Sequence, residues 1–280
     1  MSGTFSRVVL ETLLAARVDV RALVVPGFRR SADLFRLVPR PRRRLHISSP
    51  TAVYVAWAHG LPVIEVGSTK GTEPPGLLRE LRPVAFCVAC FPWLLPRAWL
   101  DFTPLGGLNL HPSLLPAYRG PVPLFWQLRD GHASTGVTLH RLDEGADTGD
   151  IVAQSAVPFP DGLTRDALEA RLAEAGARLL ASALAAPPFQ GRPQTEAGAS
   201  QQGPPSAGDL EVPTTWAARR AFNFIRGAAD WGPFVIVAEG GRILVREALS
   251  FRPEGDEPGS VRSVADGTEV GFSPRTVVVR

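Results

Sequence analysis

The sequence predicts an α/β protein, a doubly wound and mainly parallel sheet, followed by a smaller β-rich piece. Apolar strand-like runs alternate with short helical stripes up to about residue 186, the pace of a parallel sheet. Between 187 and 213 the composition shifts to Pro, Gly, Gln and Ser without periodicity, as in a linker. Beyond it an amphipathic helix leads into Val- and Ile-rich runs. At 280 residues the chain exceeds the usual size of one hydrophobic core. The expected divisions are therefore 1–186, 187–213 and 214–280.

The elements follow in order. Val9, Leu10, Leu13 and Leu14 form a helical stripe with Ser6 as its candidate cap, and 19–25 reads as a strand. Residues 50–59 read as a helix closed by Gly60, then 61–66 as a strand, 75–81 as a short helix and 83–90 as a strand. Phe91 to Leu95 makes a stiff aromatic loop. The Leu108/Leu110 alternation makes Gly107 to His111 a strand, and Pro112, lacking an N–H, ends its ladder. A helix over 121–131 starts with proline in its first turn. Strands at 134–142 and 151–159 flank an acidic loop, and an alanine- and leucine-rich helix over 164–186 closes the first domain. In the last part, 214–228 is amphipathic through Trp216, Ala217, Ala221, Phe222 and Ile225. Strands are expected at 234–238, 242–246 and 276–279, with a turn at Gly240-Gly241.

Composition narrows the function. No apolar run approaches the roughly eighteen residues of a membrane helix, and no export signal is present, so a cytoplasmic enzyme is expected. Cys87 and Cys90 lie three apart on a strand and face opposite ways, which leaves core packing and neither a disulfide nor a metal. The acidic loop lacks the glycine and glutamate positions of a calcium loop, so no metal is expected. Between 29 and 44 the chain carries seven arginines against one acid, Asp33, with prolines 39 and 41 excluding a helix. A basic loop of this kind suits a nucleic-acid substrate, because phosphate contacts supply most non-specific affinity. Arginines 219, 220, 226, 242, 246, 252 and 275 are candidates to extend that basic face.

Chemistry-bearing side chains concentrate between Gly106 and Phe159. Asn109 and His111, two apart on a strand, project from one face at its carboxyl end, where open α/β sheets bind ligands. Ser113 next to His111 suggests a serine hydrolase, but no Gly-x-Ser-x-Gly elbow exists in the chain. His140 reads as a core or sheet-surface histidine.

Asn109-x-His111-x-Ser-Leu-Leu-Pro116, then Tyr118-Arg-Gly120, Thr135-Gly-Val-Thr138 and Asp147-x-Gly-Asp150, in this order and spacing, resemble the catalytic domain of the 10-formyltetrahydrofolate-dependent formyltransferases. The resemblance covers about 61–159. It is nearest to the branch that formylates initiator methionyl-tRNA, with the branch acting on nucleotide-linked amino sugars close behind; a non-catalytic folate- or RNA-binding relative is the third reading. The resemblance implies a triad of Asn109, His111 and Asp147, a folate-contacting segment of Ser113, Leu114, Leu115 and Pro116, and a pteridine-side loop at Phe91 to Leu95. It places tRNA contacts on the basic loop, at Arg42, Arg43 and Arg44, and supplies an open β-barrel at the C-terminus of what is expected to be a monomer. The implied donor is 10-formyltetrahydrofolate, with no metal. Asn109 would donate to the oxyanion of a tetrahedral intermediate. His111 would move the amine's proton, and Asp147 would set its tautomer and raise its pKa towards or above neutrality. The family also has a first strand ahead of Gly3, where this chain has Met1 and Ser2. The expectation is either a start further upstream or a sheet built without that strand, with two unpaired edges inside the fold.

Overall fold

The computed structural model describes residues 3–27, 35–40, 51–252 and 257–280. Arg42, Arg43 and Arg44 lie outside the described residues. The chain forms two compact units, Met1–Arg119 with Gly136–Val157 and Glu169–Ser200, and Gly120–Thr135 with Pro158–Leu168 and Gln201–Arg280.

The first unit opens with helix α1 (Thr4–Ala15), strands β1 (Leu23–Pro26) and β2 (Phe35–Leu37), helix α2 (Ala52–Ala58) and strand β3 (Val63–Val66). Gly3 occupies the cap of α1 without a side-chain bond, so Ser6 is not the cap and lies inside the helix. Thr51 does cap α2, accepting from Tyr54 N–H. β3 is central, parallel to β1 and antiparallel to β2. Leu10 of α1 packs with Ala52, Val55 and Ala56 of α2 and with Val63.

Helix α3 (Gly76–Glu80), strand β4 (Phe86–Val88), helix α4 (Arg97–Leu100) and strand β5 (Gly107–His111) follow. Helix α5 (Pro123–Asp130) belongs to the second unit. Strands β6 (Ser134–Arg141) and β7 (Ile151–Pro158) and the long helix α6 (Arg165–Ala185) come next. The second sheet runs β4-β5-β6-β7, with β4 parallel and β6 antiparallel to β5. The doubly wound, mainly parallel expectation thus appears as two mixed sheets with a parallel pair in each. Among the described residues β1 and β4 do not pair, and each ends its sheet. Cys87, expected in the core, is exposed. β4 is an edge strand whose Phe86 and Val88 pack inward, so the residue between them turns the other way.

The stretch read as a linker is ordered. Residues 187–200 run as an extended strap within the first unit, bridged to β7 where Ile151 and Arg192 exchange backbone hydrogen bonds of 2.9 Å. Past Gln201 a turn of 3-10 helix (Ala207–Leu210), closed by a Ser206/Asp209 capping box, leads to strand β8 (Glu211–Pro213).

The second unit adds helix α7 (Ala218–Gly227) and strands β9 (Phe234–Ala238), β10 (Gly241–Val245), β11 (Ala248–Arg252), β12 (Val261–Val264), β13 (Gly267–Gly271) and β14 (Thr276–Val279). They form sheets of order β10-β9-β8 and β11-β14-β13-β12, a β-rich fold with no closed barrel among the described residues. β11 to β13 carry too few alternating apolar residues to be visible by pattern. An aromatic chain makes the core: Phe125 of α5 stacks edge-on with Phe224 of α7 and Trp231, and Phe224 with Phe234 and Trp216. Several arginines expected to form a basic face are committed here. Arg220 donates to the Arg129 carbonyl and lies 3.7 Å from the Trp216 ring centre. Arg226 donates to the carbonyls of Gly162 and Ala248, and Arg219 pairs with Asp161.

Candidate active site

β5 and β6 build the floor of the site. Their antiparallel register sets Asn109 opposite His140 and His111 opposite Thr138. The loop from β6 to β7 folds back over this pair so closely that a side chain on Gly149 would collide with the Arg141 carbonyl, which explains the glycine two residues after Asp147. Asp147 itself takes a left-handed backbone, φ +57°, a conformation L-residues hold only when their surroundings enforce it.

The three residues expected from sequence come together. Asn109 Nδ2 donates to Asp147 Oδ1 at 3.0 Å, and the same carboxylate oxygen lies 3.4 Å from His111 Nδ1. His140 joins them, with Nε2 3.0 Å from Asn109 Nδ2 and 3.4 Å from Asp147 Oδ1. Its Nδ1–H donates to the Arg141 carbonyl at 2.8 Å, so Nε2 is the acceptor for the Asn109 amide. This fourth member was read from sequence as a core or sheet-surface histidine. The available signal was a polar residue in a buried strand two positions from Thr138, but only the register shows what it faces.

His111 is buried, and Nε2–H donates to the Tyr118 carbonyl at 2.8 Å. That carbonyl, and not Asp147, therefore sets the tautomer, leaving the Nδ1 lone pair towards Asp147. Burial pushes the His111 pKa below the ordinary histidine value, opposed by Asp147 and by the Tyr118 bond and reinforced by His140. The expected rise to neutrality or above gives way to a lowering, because the imidazole is almost wholly buried and desolvation outweighs one carboxylate.

Ser113 to Pro116 form a pinned loop. Ser113 is buried and its hydroxyl donates to the Ala117 carbonyl at 2.7 Å, which removes it as a nucleophile. Thr138 Oγ1 donates to the Ser113 carbonyl and accepts from Leu115 N–H, while Gln154 Nε2 donates to the Leu115 carbonyl at 2.8 Å. Leu114 is partly exposed, with its side chain lying over Gly136. A cavity of about 730 Å³ opens at the start of β5, lined by Arg97, Leu100, Gly107, Leu142, Asp143 and Glu144 among others. Its size falls in the range of small-molecule sites. Neither Ser113 to Pro116 nor Phe91 to Leu95 lines it. Its walls are the strand preceding Asn109 and the loop preceding Asp147, a place the sequence had not singled out. Among the described residues no cluster of His, Cys, Asp or Glu could hold a metal ion, and no helix is long and apolar enough to cross a membrane.

This fold and this amide, imidazole and carboxylate set define a formyltransferase, and residues 65–184 match the formyl transferase family. The methionyl-tRNA formyltransferase of Aromatoleum aromaticum is 34% identical over 235 residues, 80% of this chain and 71% of that protein. The enzyme of the same name from Acidobacterium capsulatum is 34% identical over 259 residues, 90% of this chain and 80% of that one. The chain belongs to the methionyl-tRNA formyltransferase family. In structure it shares its fold with an N-formyltransferase of Helicobacter canadensis solved with folinic acid and dTDP-3-aminofucose, at TM-score 0.66 and 14% identity, covering 99% of this chain and 95% of that one.

Proposed function

We infer that the chain transfers the formyl group of 10-formyltetrahydrofolate to the amino group of methionyl initiator tRNA. The observation that carries this is the cluster of Asn109, Asp147 and His111 at the carboxyl end of β5, with Asn109 hydrogen-bonded to Asp147 and His111 Nδ1 3.4 Å from the same carboxylate oxygen, in a chain of this family.

The donor supplies an activated formyl carbon, attacked by the neutral amine to give a tetrahedral oxyanion. His111, kept neutral by burial, takes the ammonium proton on Nδ1 and returns it to the departing folate nitrogen. Asp147 stabilises the transient imidazolium, so no net proton is consumed by the protein. Asn109 donates to the oxyanion. In the free protein its amide hydrogens face Asp147 and His140, and one of them swings to the oxyanion as charge develops there. The donor is assigned to the carboxyl end of β5, beside Asn109 and His111, with the Ser113 to Pro116 loop that follows the strand as its contact segment. The Arg42, Arg43 and Arg44 cluster is assigned to the tRNA backbone from its charge.

The test is formyl transfer from labelled 10-formyltetrahydrofolate to charged initiator tRNA. Transfer to the methionyl amine supports the reading. Transfer only to a nucleotide-linked amino sugar refutes the acceptor and keeps the chemistry. Replacing Arg42, Arg43 and Arg44 by alanine should raise the KM for tRNA and flatten its salt dependence by a log–log slope of about two to three. An unchanged slope removes these arginines from the tRNA contact.

A further inference from the structure

The strap of residues 187–200 does more than join elements. Gln194 sits with its carboxamide between Arg119 and the loop that carries Asp147. Arg119 Nε and Nη2 donate to Gln194 Oε1 at 3.1 and 2.9 Å. Gln194 Nε2 donates to the carbonyls of Asp147 and Gly149, each at 2.8 Å. The orientation of this amide is forced. A guanidinium has only donors and a carbonyl only acceptors, so the oxygen must face Arg119 and the nitrogen must face the loop. Both amide hydrogens are then spent on the carbonyls of Asp147 and Gly149, the residues either side of Thr148.

The first of these carbonyls belongs to the peptide that follows Asp147, so holding it fixes the backbone from which the Asp147 carboxylate projects, and the second anchors the loop two residues on. Asp147 holds a left-handed backbone, at a cost of about 1 kcal/mol or more that its neighbours must offset. Gly149 is pressed against the Arg141 carbonyl. From this one backbone position the carboxylate reaches Asn109, His111 and His140 together. The same strap reaches the His111 side: Ser200 Oγ accepts from Tyr118 N–H at 2.8 Å, and Tyr118 is the residue whose carbonyl holds His111 Nε2.

We propose that Gln194, oriented by Arg119, is a positioning residue that fixes the Asp147 carboxylate against His111 and Asn109. Its effect on rate rests on the formyl-transfer reading; its effect on geometry does not.

Gln194→Glu tests it. The variant is nearly isosteric and still accepts from Arg119, but it loses both donors and sets a carboxylate against two carbonyl oxygens. It should lower kcat about a hundredfold, the cost of misplacing a catalytic group by roughly 1 Å, with the KM for the donor nearly unchanged. Thr195→Val, one residue along the strap and clear of the loop, should leave kcat as in wild type. Gln194→Met, of similar length and uncharged, should also lose kcat and serves if the glutamate variant fails to fold. NMR of isotope-labelled histidine provides a readout independent of turnover. In Gln194→Met the His111 ring signal should move towards its position in Asp147→Asn while the exposed His59 signal stays. If wild type transfers no formyl, the functional reading fails and the ring signal alone decides the positioning. A His111 signal that stays at its wild-type position overturns the proposal.

Discussion

Two shielded carboxylates, one in each unit, are held in opposite ways. Asp147 sits on a loop with 15% of its side chain exposed, and its partners are an amide and two imidazoles. Glu269 sits on β13 with 2% exposed and takes hydrogen bonds from the Arg262 guanidinium and from Thr276 Oγ1, with Arg252 at 3.6 Å. An arginine does not give up its proton, so the charge on Glu269 is permanently matched, and the Arg262 guanidinium holds its carboxyl below the usual carboxylate range. In the proposed mechanism the His111 imidazole beside Asp147 takes up and gives back a proton within the catalytic cycle. One carboxylate is therefore matched within the sheet, and the other, in that mechanism, responds to a proton arriving on His111.

The largest expected effect breaks the responsive side. Asn109→Ala removes the proposed oxyanion donor and should lower the formyl-transfer rate about a hundredfold to a thousandfold, measured by single turnover, with the unfolding temperature close to wild type. Activity within a few-fold of wild type would exclude Asn109 from the oxyanion.

Next is a paired test of the two acids. Asp147→Asn should lose about a hundredfold or more in rate and, by denaturant unfolding, less than about 1 kcal/mol of stability. Glu269→Gln should do the reverse. It leaves the Arg262 guanidinium, 60% exposed, to solvent and should cost about 1 kcal/mol of stability or somewhat more through the lost charge-assisted hydrogen bond with the turnover of the folded protein intact. Equal losses of rate in the two variants would erase the distinction.

The smallest effect is in pH dependence. The folded-state pKa of His111 is lowered from 6.5, so the unfolded chain binds its proton first as pH falls. The associated stability is fully present above 6.5 and is lost as pH drops from there through the lower folded value. The acid limb of kcat/KM should accordingly lie below 6.5, whereas a limb above 6.5 would mean that Asp147 outweighs burial. Glu269 acts with the same sign in a lower window. Its stabilisation is complete above the unfolded value of 4.5 and is lost as pH falls through the depressed folded value. Glu269→Gln should remove that second window from acid-unfolding curves and leave the first.

Local patterns carried most of what was legible beforehand. The Leu108/Leu110 alternation placed Asn109 and His111 on one face of a strand, and Pro112 stopped that strand at its carboxyl end. The long apolar helix α6 and the strands β6, β7, β9 and β14 lie within a few residues of where periodicity sets them. Cys87 was misjudged because among the described residues one face of β4 is left uncovered. β11 to β13 escaped notice because Arg252, Arg262 and Glu269 interrupt their apolar pattern while pairing with one another across the sheet.

By itself the sequence determined the alternation of elements, the identity of the amide, imidazole and carboxylate groups, and the family to which their spacing belongs, since each depends on residues close together in the chain. Tertiary structure alone decided the rest. It brought His140 to Asn109 through strand register, placed the proton of His111 on Nε2 through the Tyr118 carbonyl, and set Gln194, from a stretch that reads as a linker, under the Asp147 loop. The physical reason is range: periodicity is a property of neighbouring residues, whereas desolvation and hydrogen-bond geometry depend on groups that only folding brings within about 3 Å of one another.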